Sequence, residues 1–291
     1  TFTDDGSLDL ESQRRALDCM VDQGVDGACI LANFSEQFLL TDEERDTLLT
    51  KCLDHVADRI PIIVTCSHFS TRVAVERARR AEAAGAAMIM MMPPYHGTAL
   101  KADEGGIREH FERIADAIKI PIMLQDAPLS GVSLSVRFLA ELAQAIPQLA
   151  YFKIEVPGTA GKIRALIEAA GAAIEGPLDG EESITLMADL DAGATGSMSS
   201  ALLPELIRRV IELHKSGDRK AAAAKYARIL PLINYENRQC GLRAAKTVMK
   251  EGGVIASDAA RHPLEPMHPE TRRGLLELAS ELDVVSLRWG N

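Results

Sequence analysis

Two hydrophobic periods alternate along the chain. Short apolar runs at residues 27–31, 61–66, 86–91, 120–125, 149–155, 172–175 and 194–198 read as strands. The segments between them, at 10–23, 42–57, 71–84, 107–118, 136–146 and 159–170, carry apolar residues at i, i+3 and i+4 and read as amphipathic helices. Thr41 followed by Glu44 forms a capping box, and Ser70 or Thr71 stands where the next helix needs a cap. The repeating unit is βα. Seven strands are visible and an eighth is expected ahead of Thr1, so the pattern predicts an α/β fold, the (β/α)8 TIM barrel. A doubly wound open sheet is the rival, but neither Gly-x-Gly-x-x-Gly nor Gly-x-x-x-x-Gly-Lys-[Ser/Thr] occurs. The windows 204–214, 220–232, 243–250 and 269–282 read as consecutive helices. The expected division is a barrel over residues 1–202 and a C-terminal helical extension over 203–291.

Charge narrows the range of partners. The chain has 32 Lys and Arg against 42 Asp and Glu, a net charge of -10, and no basic block longer than Arg-Arg pairs such as 79–80 and 208–209. No basic face for nucleic acid or for an anionic membrane is expected. The most apolar stretch, 83–94, is far shorter than the roughly 20 residues that span a bilayer, and Gly85 and Pro93-Pro94 interrupt it. The cysteines at 19, 29, 52, 66 and 240 have no Cys-x-x-Cys spacing and read as reduced thiols of a cytosolic protein. The seven histidines have no zinc-ligand spacing, so no metal is expected.

A barrel places its chemistry at the C-terminal ends of its strands. In the segment 151–156, alternation puts Tyr151, Lys153 and Glu155 on one face and Phe152, Ile154 and Val156 on the other. The apolar face suits the helix layer, which turns Lys153 into the barrel. An amine taken out of water loses part of its preference for the charged form and becomes a nucleophile toward carbonyls. A plain Lys153–Glu155 ion pair or an exposed strand end fits the same alternation. The strand ending in Gln125 and Asp126 turns Gln125 inward, while Asp126 before Ala127-Pro128 equally suits a turn. Tyr95 and His96 follow Pro93-Pro94 on a rigid loop, where each can give or take a proton or simply face solvent. Asn33, Phe34 and Ser35 end the first visible strand with backbone amides suited to a carboxylate, or to an ordinary turn. Ser199, in Ser197-Met198-Ser199-Ser200, offers a hydroxyl for a polyol, or a small residue for close packing.

These residues together resemble the dihydrodipicolinate synthase and N-acetylneuraminate lyase superfamily, class I lyases and aldolases that work through a lysine Schiff base. Tyr151-Phe152-Lys153-Ile154-Glu155 is similar to the Schiff-base strand, and Gly193-Ala194-Thr195-Gly196 to the turn of the eighth strand. Pro93-Pro94-Tyr95 resembles the tyrosine loop that enters a neighbouring subunit's site, and residues 1–6 resemble the segment just after the first strand. Two departures stand out. Ala32-Asn33-Phe34-Ser35-Glu36 occupies the place of Gly-Thr-Thr-Gly-Glu, and Gln125-Asp126-Ala127-Pro128 the place of Tyr-Asn-x-Pro with its proton-relay tyrosine. With Met92 to Gly97 and Glu236-Asn237-Arg238-Gln239, the pattern is similar to the superfamily's dehydratases of five-carbon 2-keto-3-deoxy sugar acids. Aldolases of the six-carbon acid, other sugar-acid dehydratases and a catalytically inert barrel are the rivals.

The resemblance implies a small-molecule 2-keto-3-deoxy sugar acid as substrate, no cofactor, and a homotetramer in the cytoplasm. It makes Lys153 the Schiff-base amine, and Glu155, two residues on and on the same inward face, is the candidate base at C3. Asn33, Phe34 and Ser35 would hold the carboxylate, Gln125 and Asp126 would orient hydroxyls or a water, and Tyr95 and His96 would close the site.

Overall fold

A computed structural model describes residues 1–97 and 100–291 of the chain. They fall into two units, Thr1–Ile60 with Ser199–Asn291, and Pro61–Met198. The first unit opens with α1 (Leu10–Asp22), where the Asp9 carboxylate accepts from the Ser12 amide, then β1 (Ala28–Ile30) and α2 (Asp42–Val56). The Thr41–Glu44 capping box is present in both directions.

The second unit carries the βα repeat. In chain order it holds β2 (Ile62–Thr65), α3 (Thr71–Ala83), β3 (Met88–Met91), the short strands β4 (Tyr95–His96) and β5 (Leu100–Lys101), and α4 (Glu104–Ala115). There follow β6 (Ile122–Asp126), α5 (Val136–Ala145), β7 (Tyr151–Ile154), α6 (Thr159–Ala170), β8 (Gly176–Asp179) and α7 (Leu186–Asp191). Strands β2, β3, β6, β7 and β8 lie side by side in that order, all parallel, while β4 and β5 pair antiparallel. Residues 195–198 extend the ladder past β8: the Thr195 amide donates to the Pro177 carbonyl at 2.9 Å and the Asp179 amide to the Gly196 carbonyl at 3.0 Å. Alternation along β7 is as its sequence predicts, with Phe152 and Ile154 fully buried and Tyr151 and Lys153 only partly so.

One strand lies elsewhere than the sequence predicts. Residues 172–175 were expected to be extended, but Gly171–Ala173 is a 3-10 turn and the strand is Gly176–Asp179. The Ala-Ala-Ile run has the better strand composition, and a strand that begins Gly-Pro breaks the usual preference. Here the proline is tolerated because its carbonyl, not its missing N–H, serves the neighbouring segment. Helix α4 also starts earlier than its apolar period suggests, because the Asp103 carboxylate accepts from the Gly106 amide at 2.8 Å and caps a first turn containing two glycines. The cap supplies what the glycines lack in intrinsic propensity.

Helices α3 and α4 are tied by a buried histidine. The His110 ring nitrogen Nδ1 lies 2.9 Å from the Thr71 hydroxyl, and its ring stands edge-on to Phe111. Burial, with the charge of His68, lowers its pKa from 6.5 to about 4. The unfolded chain therefore takes up a proton between those values that the folded chain refuses, and stability falls as pH falls through that window. From about pH 7 to about pH 5 the loss at this site is expected to be roughly 2 kcal/mol. Urea titrations of the parent and of His110→Gln at the two pH values check it, since the variant should lose that much less; equal losses would remove the assignment.

The first unit resumes with α8 (Pro204–Lys215), α9 (Arg219–Tyr235), α10 (Arg243–Glu251) and α11 (Pro269–Leu282). A π-turn at Glu236–Cys240 follows α9 directly and was not legible in the apolar period. Ala16 and Cys19 of α1 cluster with Met249, Val254 and Ile255, and Ala201, Val285 and Trp289 close over them. No two of the cysteines form a disulfide, and burial pushes the Cys19 thiol up to about 12. Among the described residues no helix is long and apolar enough to cross a membrane.

Candidate active site

Strand β7 ends at Ile154, and the next residue continues its ladder: the Glu155 amide donates to the Asp126 carbonyl at 2.9 Å. Lys153 and Glu155 therefore project to the same side, two residues apart. Their ammonium and carboxylate form an ion pair, with the two side chains only 11% and 14% exposed. From β6, where Gln125 is in register with Lys153, the Gln125 amide group donates to both Glu155 oxygens at 3.2 Å. The carboxylate is thus held from two sides. A third constraint comes from the residue after β8, because a Cβ on Gly180 would lie 2.3 Å from Glu155 Cγ. Only glycine leaves room for the Glu155 side chain there.

The arrangement is an amine in contact with a carboxylate that can take its proton, at the C-terminal ends of parallel strands. Once deprotonated, the amine can add to a carbonyl, and a carboxylate in contact with that amine can serve as a base. Gln125 is an amide and has no proton to exchange near neutral pH, so it orients the carboxylate without relaying protons.

Asp126 points the other way. It is 1% exposed, and its Oδ2 lies 2.5 Å from the Lys162 ammonium on α6, which also donates to the Leu134 carbonyl at 2.6 Å. Burial pushes the Asp126 carboxyl above the usual carboxylate range, and Lys162 opposes that shift. The residue anchors α6 against the end of β6, where the sequence suggested either a turn or a substrate contact. Tyr95 is half-buried on β4, which raises its phenol pKa, whereas His96 is exposed with its ring 6.2 Å from that of Phe69. In the first unit, Asn33–Ser35 forms a 3-10 turn whose Asn33 side chain accepts from Gln37 at 2.9 Å, and Gln37 accepts from Arg45 at 3.2 Å. Ser199, also in that unit, donates to the Ser200 carbonyl at 3.3 Å.

Three residues near the end of β8 escaped the sequence reading. Asp179 is fully buried and accepts from the Ser197 hydroxyl at 2.6 Å, and the Ser183 and Ser197 hydroxyls are 2.6 Å apart. Burial and the neighbouring Asp189 push the Asp179 carboxyl well above its ordinary range. Glu182 is 8% exposed, and burial raises it to about 7. A strand placed four residues later would have exposed Asp179 as a strand-end carboxylate. Glu182 sits in a turn that no local pattern announces.

The dihydrodipicolinate synthetase family profile matches residues 1–282. The chain is 56% identical to L-2-keto-3-deoxyarabonate dehydratase of Azospirillum brasilense over 291 residues, covering 100% of this chain and 94% of the relative. It is 30% identical to 4-hydroxy-tetrahydrodipicolinate synthase 2 of Streptomyces coelicolor, over 96% of this chain and 91% of that one. The crystal structure of the chloride-inhibited dihydrodipicolinate synthase of Acinetobacter baumannii, complexed with pyruvate, superposes with a TM-score of 0.89 at 25% identity, covering 97% of this chain and 96% of that one. The fold is the (β/α)8 barrel that these structures share, with helices following the last strand, and the chain belongs to the dihydrodipicolinate synthetase family.

Proposed function

We propose that this protein is a Schiff-base hydro-lyase that converts L-2-keto-3-deoxyarabonate to 2-oxoglutarate semialdehyde and water. The contact between Lys153 and Glu155, with Gln125 fixing the carboxylate, carries the reading. The identity of the substrate is supported by the 56% full-length identity to the Azospirillum enzyme of that name. Lys153 passes its proton to Glu155 and adds to C2; Glu155 returns that proton to the C2 hydroxyl as it leaves as water, and the resulting protonated imine makes the C3 protons acidic. Glu155 then removes a C3 proton, the enamine expels the C4 hydroxyl as water, and tautomerisation and hydrolysis release the product. Retro-aldol cleavage would need a base on the C4 hydroxyl. An amide stands at Gln125, in the place of the relay tyrosine, and cannot serve as that base.

Asp126, Tyr95 and His96 have supporting parts on this reading: the first by anchoring α6, the other two by bordering the substrate. The enzyme works as a homotetramer in the cytoplasm, a compartment that suits five cysteines without a disulfide. Incubation with the five-carbon acid and mass analysis of the products tests the reaction. A semialdehyde formed with loss of water is expected, and release of pyruvate would make the protein an aldolase instead.

A further inference from the structure

The elimination has an electron sink in Lys153 and a base in Glu155, but so far nothing that donates a proton to the leaving oxygen. The loop after β8 holds a carboxyl group that no other step uses. Glu181, Glu182 and Ser183 have φ of 50°, 54° and 70°, three consecutive left-handed residues that are not glycine. That backbone is sterically costly for any residue with a Cβ and persists only where the surroundings enforce it. Here the Ser183 amide donates to the Gly180 carbonyl at 3.1 Å and the Ile184 amide to the Glu181 carbonyl at 3.2 Å. The Ser183 hydroxyl is held 2.6 Å from Ser197, which is itself fixed to Asp179. The strained turn buries the Glu182 side chain, and Gly180 at its start packs against Glu155. The charged groups that act on Glu182 include Lys153, Glu155 and its neighbour Glu181, so its carboxyl stands within electrostatic reach of both the amine and the base.

We propose that Glu182 is the acid that protonates the C4 hydroxyl as it leaves. The proposal rests on the dehydratase reading of the Lys153 site. In the step, Glu155 takes the C3 proton and the electrons of that bond form the enamine. The enamine then makes a double bond between C3 and C4 as the C4–O bond breaks. That bond's electron pair departs with the oxygen, which receives the Glu182 proton and leaves as water. Glu155 ends protonated and Glu182 ionised, so one proton passed between them through solvent resets both, and nothing is oxidised or reduced. Burial raises Glu182 to about 7, which leaves a substantial protonated fraction at neutral pH, as a general acid requires.

The test compares the parent with Glu182→Gln and Glu182→Asp on two substrates: the natural hydroxy acid and its 4-deoxy-4-fluoro analogue, whose fluoride leaves without a proton. Glu182→Gln is expected to trap pyruvate with borohydride and to exchange pyruvate methyl protons into deuterium oxide as the parent does. Its kcat on the hydroxy acid should fall about a hundredfold with KM little changed, while kcat on the fluoro analogue is retained. Glu182→Asp, which keeps an acid, should recover part of the loss. An equal fall on both substrates, or no fall on either, would overturn the role of Glu182 alone. Failure of the parent itself to trap or exchange pyruvate would instead overturn the Lys153 reading, and this proposal with it.

Discussion

Replacing Lys153 by arginine is expected to abolish both the borohydride-trapped adduct and turnover, by roughly four orders of magnitude or more, which is over about 5 kcal/mol of barrier at 1.36 kcal/mol per factor of ten. Arginine keeps a cation against Glu155, so the ion pair and the local fold have a substitute. What it cannot do is lose its proton near neutral pH and add to a keto group. Lys153→Ala should give the same chemical result by the opposite route, removing the amine and leaving Glu155 with the two hydrogen bonds from Gln125. Peptide mapping of the parent after reduction with pyruvate should find the added mass on Lys153. Turnover by either variant within tenfold of the parent, or an adduct on another lysine, would end the Schiff-base account of this site.

Much of this site was legible because its chemistry is encoded in period-2 alternation. Tyr151, Lys153 and Glu155 share a face by counting alone, and burial of Phe152 and Ile154 on the other face agrees. Gln125 was assigned inward for the same reason, and it meets Glu155 because β6 and β7 pair Gln125 with Lys153 in register. Asp126 was harder, since its position before Ala127-Pro128 suits a turn; only the tertiary placement of Lys162 on α6 decides what it does. The strand at Gly176–Asp179 was displaced because local composition favours the alanine-rich run ahead of it, while the pairing that selects Gly-Pro-Leu-Asp comes from β7 on one side and residues 195–198 on the other. Once that strand is misplaced, Asp179, Gly180 and Glu182 cannot be read as strand-end residues. The left-handed turn at 181–183 has no signal of its own, because glutamate and serine there contradict every preference for positive φ. The helices were easier, and α6 and α11 begin and end where their periods predict, since amphipathic period and terminal residues are both local.

Glu155→Gln separates imine formation from proton abstraction. Glutamine is nearly isosteric, fits over Gly180, and can still meet the Gln125 amide group through its own carbonyl oxygen. It cannot accept a proton from C3. General-base assistance is commonly worth 10²–10⁴-fold, and a loss of about a thousandfold in kcat is expected, roughly 4 kcal/mol. The adduct with pyruvate should still form, more slowly, because Glu155 also takes the Lys153 proton before the amine attacks. The decisive measurement is exchange of the pyruvate methyl protons into deuterium oxide, followed by NMR alongside borohydride trapping. Trapping with exchange slowed by the same factor as turnover would assign the base to Glu155. Exchange at the parent rate would remove that assignment, and since Gln125 has no basic site near neutral pH, the search would move to Glu182 and Asp179, the other buried carboxyl groups on which Lys153 acts. Gly180→Ala tests the same carboxylate without changing its chemistry: an added Cβ must push the Glu155 side chain aside, so exchange and turnover should fall together while the adduct persists.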